Sequence, residues 1–248
     1  MQLIKRSIIS VVFVPLFFCP ALMPGGTGSS PFAAAESSST EGSPDSAAYP
    51  RVDFRWAFAA MSVRDGKSSM LPVTQDMVLK SGDRLKMMVE LQRRCFVYLF
   101  HDNRRDGIKL LFPYSLQQFD GDYRPERRYY IPRGEAWFRL DENPGLEVFY
   151  LIASARRLDD LEKAYLQHDA AADGPSKEKS ARAFLETIRD LRREHRELSS
   201  PAERPAPIGG ALRSFENVQD PDRFDIAAFA DQVLSTRFTA RTYTIEHR

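Results

Sequence analysis

From Phe54 onward the chain alternates. "FRWAFAAMSV" sets Phe54, Trp56 and Phe58 against smaller or polar neighbours, the two-residue period of a strand. In "RLKMMVEL", Leu85, Met87, Val89 and Leu91 share one face, and Arg84, Lys86 and Glu90 the other. That pattern predicts a half-buried strand, entered through the turn "KSGD". "CFVYLFHD" is apolar on both faces, as a central strand is. "GIKLLFP" follows across "DNRRDG", whose Asn and Gly tolerate the positive φ of a reversal. "RRYYIP", "EAWFRL" and "LEVFYLIAS" extend the series. A repeat of about ten residues with turn signals between strands predicts an antiparallel sandwich or barrel, its core at 54–154.

The period then changes. Leu158, Leu161, Ala164 and Tyr165 recur at helical spacing, and after "ADGPS" so do Ala181, Phe184, Leu185, Ile188, Leu191 and Leu198. This predicts an amphipathic helical hairpin over 157–198, packed on the sandwich or on itself. "SSPAERPAPIGG" (199–210) cannot continue a helix and reads as a crossing segment. At 224–247 a short helix around Ile226 to Leu234 should precede a strand in "TRFTARTYTIEH". A strand so late in the chain has to return to the sheet, so the helices become an insertion in one domain spanning 51–248.

The N-terminal end has a different texture. Lys5 and Arg6 precede the apolar run Ile8 to Phe18, which is short for a membrane span and broken by Pro15. "FAAAE" then places Ala33 and Ala35 where a signal peptidase reads small residues. Residues 1–35 are therefore expected to be a secretory leader cleaved before Glu36, with a retained anchor and a lipid-modified Cys19 as the alternatives. "ESSSTEGSPDSAAYP" (36–50) offers little to bury and reads as a flexible linker. Localisation should accordingly be periplasmic or extracellular.

Charge and cysteine count narrow the picture. Loss of the leader leaves 33 basic against 34 acidic residues, which gives no electrostatic reason to expect nucleic acid as a partner. No other apolar run approaches the length of a membrane span. Cys95 would be the one cysteine of the mature chain, so the fold has to stand on its hydrophobic core.

Candidate chemistry is sparse. Cys95 and His101 share a strand face, but six residues of strand rise separate them by about 20 Å, where a thiol–imidazole pair needs about 3 Å. His168 and His195 fall beside the helical stripes, and a metal site with Asp169 or Glu194 lacks the i, i+4 histidine pair that would make it strong. "FDGDY" (119–123) is too short for a calcium loop, and "RDLRREHRE" alternates its charges as a solvated helix face does. No catalytic set, metal site or cofactor site is predicted. One stretch stands out: Tyr114, Phe119, Tyr123, Tyr129 and Tyr130 crowd the Pro- and Arg-rich segment "PYSLQQFDGDYRPERRYYIP". Tyrosine beside arginine suits a recognition surface, and the same residues could equally plug the end of a sandwich.

Taken in order, "SGDRL", the "YLF" strand, the "LFP" exit, the "IP" step and the closing "PGLEVFYLIAS" resemble the domain-of-unknown-function 4384 family of bacterial proteins. The resemblance runs from about Phe54 to Ser154. It implies an immunoglobulin-like β-sandwich, here carrying a C-terminal helical hairpin and a last returning strand. It also implies an exported or envelope setting, and it brings no catalytic residues to carry over. The expectation is a non-catalytic binding or assembly module that recognises an envelope protein or a surface polymer. The alternatives are a periplasmic hydrolase whose residues only the fold assembles, or a structural oligomer built on the helical hairpin.

Overall fold

The computed structural model describes residues 51–64, 67–103, 105, 107–197 and 225–248. The expected leader with Cys19, Ala33, Ala35 and Glu36, the linker at 36–50 and the crossing segment at 199–210 lie outside them. Two open sheets pack face to face. The first has the order β10 (Asp231–Ser235), β1 (Val52–Arg64), β4 (Arg84–Leu91), β7 (Arg128–Ile131), with β2 (Lys67–Pro72) also on β1 and β8 (Phe138–Arg139) also on β4. The second has the order β3 (Asp76–Leu79), β11 (Phe238–His247), β9 (Gly145–Ser154), β5 (Phe96–Asn103), β6 (Gly107–Phe112). The last strand does return to the sheet, antiparallel to β9. Its other neighbour, β3, runs parallel to it, so the sandwich is not wholly antiparallel.

The alternation in β1 explains the inner layer. Phe54, Trp56 and Phe58 point into the core, where the Phe58 ring meets Phe149 edge-on at 5.1 Å and Tyr243 at 5.4 Å. Trp56 Nε1 donates to the Tyr243 hydroxyl at 2.9 Å, so this buried polar pair joins the two sheets with both groups satisfied.

The outer face of the second sheet carries the helices α1 (Asp159–Asp169) and α2 (Pro175–Glu197). This is why β5 is apolar on both sides. Phe100 faces outward, 4.8 Å from the Phe184 ring and 5.4 Å from Tyr165. Helices and sheet edge are also tied by polar bonds. The Ile108 and Leu110 amides of edge strand β6 donate to His168 Nε2 at 3.4 Å and the Tyr165 hydroxyl at 3.3 Å.

Three local expectations change. Only Phe138–Arg139 of "EAWFRL" is strand. The expected C-terminal helix is a 3-10 turn at Ile226–Phe229, capped by Asp225, whose carboxylate accepts from the Ala227 amide. The chain then enters β10, which pairs with Val52 to Trp56. The reason is an open edge: β1 is 13 residues long, and β2 covers only its far half. The third change concerns β4, which is covered on both faces. The Ile226–Phe229 turn closes over Ala57, Ala59 and Met88, forming a second small core whose floor is shallow because two of its side chains are methyl groups.

Candidate functional site

The aromatic segment resolves mostly as a plug. Phe119, Tyr123 and Tyr129 are buried in the main core. Tyr123 meets Phe119 edge-on at 4.8 Å, and its hydroxyl accepts the Val97 amide at 3.0 Å. Burial pushes that phenol well above its usual range, so it stays neutral. Tyr129 accepts from the Arg124 amide at 2.8 Å. The surface expected from the sequence therefore loses these three, because each ring is needed to close the end of the sandwich. Tyr114 and Tyr130 remain half-buried, the first beneath the Arg133 guanidinium at 3.9 Å.

Around Tyr130 the fold assembles something the sequence did not disclose. Register places Arg55, Glu90 and Arg128 in one row across the outer face of the first sheet, and Ala57, Met88 and Tyr130 in the next. Arg55 and Arg128 both bond Glu90, at 3.3 and 3.2 Å. Beside them Lys86 is only 5% exposed, its ammonium 5.5 Å from the Tyr130 and Trp137 ring centres and 2.6 Å from the Gly134 carbonyl. Burial pulls this ammonium below the usual lysine range, and Glu135 partly offsets the effect. Half-exposed Met70, Tyr130, Trp137 and Phe229 ring the small second core. The sequence pattern places Trp137 only within a strand and Lys86 on a solvent face.

The thiol and most histidines are scaffold. Cys95 is fully buried, and burial pushes its thiol up to about 11. His168 is satisfied in one neutral tautomer. Nδ1–H donates to Ser180 Oγ at 3.0 Å, Ser180 donates to the Lys177 carbonyl at 2.8 Å, and Nε2 accepts the Ile108 amide. Burial lowers its pKa, in keeping with that neutral form. His195 Nδ1 bonds the Leu191 carbonyl at 2.9 Å, and the ring stacks 4.1 Å from Phe238. The carboxylates of "FDGDY" are spent on arginines, Asp120 on Arg157 and Asp122 on Arg127. Among the described residues no group of three His, Cys, Asp or Glu is arranged to hold a metal ion.

The remaining polar groups converge at one end of the sandwich, where β5 ends, β9 begins and the C-terminus arrives. His101 lies on the inner face with Cys95, as its alternation requires, but its ring stacks on Phe149 at 4.6 Å and Nε2 reaches Glu147 at 2.5 Å. Asn103 donates to both Glu147 oxygens, at 2.9 and 3.1 Å. Glu147 is thus fixed from two sides at 7% exposure. One register step away, His247 lies opposite Gly145. Its Nε2 is 3.1 Å from Ser81 Oγ, while Nδ1 is buried without a partner. Beside Asn103 and Glu147 opens a cleft of about 470 Å3 lined also by Arg105, Asp141 and Asn143, with Pro144, Gly145 and Leu146. Bonds from Asn143 hold the Asp141 carboxyl below its usual range, with Arg105 and His247 adding to the effect.

Residues 78–157 match the family model described as a domain of unknown function (DUF4384). The match begins in β3, later than the sequence pattern suggested, and ends at Arg157, just before α1. No curated protein and no solved structure matches the chain.

Proposed function

We propose that this chain, which carries a DUF4384 domain at 78–157, is an exported module of the bacterial envelope that holds a protein partner and does no chemistry on it. One observation carries this reading: the half-exposed ring of Met70, Tyr130, Trp137 and Phe229 on the outer face of the first sheet. Aromatic and methionine side chains over a shallow alanine floor, rimmed by Arg55, Arg128 and Asp225, have the composition of an interface centre with a polar rim. An apolar anchor from the partner would seat on the rings, and the rim charges would set its register. The leader expected at residues 1–35 supports the location.

The test compares the full chain with Trp137→Ala by chemical cross-linking in cells followed by recovery of adducts. The wild type should form a discrete heteromeric adduct that Trp137→Ala loses, while its thermal unfolding stays cooperative. An adduct of unchanged yield in the variant would sink the assignment of this face.

A hydrolase is the second reading, favoured by Ser81 Oγ at 3.1 Å from His247 Nε2. One geometric fact weighs against it. The amides of Ser81 and Gly82 already donate to the Arg248 and Leu140 carbonyls at 3.0 and 2.9 Å, so they are not available to an oxyanion. Covalent labelling of Ser81 by a fluorophosphonate probe, abolished in Ser81→Ala, would establish the hydrolase instead.

A further inference from the structure

We infer that the cleft at the end of the sandwich is a saccharide site, independent of the protein-docking face, and that it takes neutral or amino sugars in preference to anionic ones. Its size is right: about 470 Å3 falls within the range of roughly 300–1,000 Å3 typical of small-ligand sites. Its chemistry is more telling. Among the described residues the polar lining is two carboxylates, Asp141 held by Asn143 and Glu147 held by Asn103 and His101, and one guanidinium, Arg105. Adjacent hydroxyls of a sugar ring each donate once and accept twice; Asp141 keeps a lone pair on each oxygen beyond its bonds to Asn143, and the Arg105 fork can donate to two hydroxyls at a time. At the rim Leu146 is 39% exposed beside Pro144, an apolar shelf suited to the C–H face of a pyranose.

The charge balance selects among sugars. Among the described lining residues two carboxylates outweigh one guanidinium, so uronic or sialic acids and phosphorylated sugars are repelled, while an ammonium or acetamido substituent is not. The site is also preorganised. Glu147 is held by His101 and Asn103, so it gives up little side-chain freedom when a ligand arrives.

Gly145 provides a clean perturbation. It lines the cleft, nothing lies within 4 Å of where its Cβ would be, and its φ is not in the left-handed region. Gly145→Leu should therefore fill the cleft without disturbing the fold. Titrating the full chain with tri-N-acetylchitotriose, chitotriose and a sialyl oligosaccharide, followed by calorimetry and amide chemical shifts, tests the assignment. The expected result is binding of the first two, at least tenfold weaker binding of the third, and at least tenfold loss in Gly145→Leu with an unchanged melting temperature. No binding of either neutral or amino oligosaccharide, equal binding of the sialyl one, or unchanged affinity in Gly145→Leu would each overturn the site. Trp137→Ala serves as the control for the other face and should bind these sugars as the wild type does.

Discussion

Tyr98→Phe removes one oxygen, a buried hydroxyl that both donates and accepts where α1 meets the sheet. The ring is fully buried between the second sheet and α1. Its hydroxyl donates to Glu162 Oε1 at 2.7 Å and accepts the Leu158 amide, at the start of α1, at 3.1 Å. Burial pushes this phenol far above its usual range, with Glu162 adding to the effect, so it donates at every accessible pH. Phenylalanine keeps the shape and the contact with Phe119 at 5.1 Å, so no cavity term arises. What is lost is a hydrogen bond to a charged acceptor, worth about 1.5–3 kcal/mol, while a helix-terminal amide loses its partner. Glu162 keeps Arg157, which binds both its oxygens at 2.9 and 3.0 Å, so its charge is not stranded. A net loss of about 2–4 kcal/mol follows. For a domain of this size that lowers the melting temperature by roughly 4–16 °C. Urea unfolding of the two proteins followed by circular dichroism measures it. A loss below about 0.5 kcal/mol, the size of an ordinary surface change, would refute the idea that this oxygen fastens α1 to the sheet.

Other outcomes follow from the same geometry. Cys95 should be inert to thiol reagents in the native protein and react stoichiometrically in denaturant. Its thiol titrates near 9.0 when exposed and at about 11 when folded, so the native state keeps a proton that the unfolded chain releases. The stability it contributes is therefore intact below pH 9 and declines from there through about pH 11, and a Cys95→Ala variant should lack that slope. Intact mass of the exported protein should correspond to a chain beginning at Glu36; a mass retaining residues 1–35 would mean that the leader is kept.

Much of the sandwich was legible because alternation is local. Phe54, Trp56 and Phe58 declare an inner face by themselves, and the Leu161, Phe184 and Ile188 stripe declares a helical one. Contacts between distant segments were not legible. Lys86 looks solvent-facing in "RLKMMVEL", and only residues 130–137 folding back over β4 make it buried. A plug and a recognition surface share the composition of Tyr114 to Tyr130, and only the folded sandwich distinguishes them by burying Phe119, Tyr123 and Tyr129. The polar cleft did leave a trace. Glu147 sits on the face of Phe149 and Leu151, and His101 on the face of Cys95, Val97 and Leu99. Polar groups at consecutive apolar-face positions on two strands are the signal that could have paired them before the register was known.

The two amides of β6 held by His168 and Tyr165 bear on how the domain can be divided. An uncovered strand margin recruits other strands, and here the residues that block recruitment come from α1, beyond the end of the family match. A fragment cut at Arg157 would expose that margin and would also take away β11, the neighbour that β9 needs. Such a fragment should self-associate more readily than the intact chain, which makes the helical hairpin this sandwich's built-in guard against polymerisation through that margin.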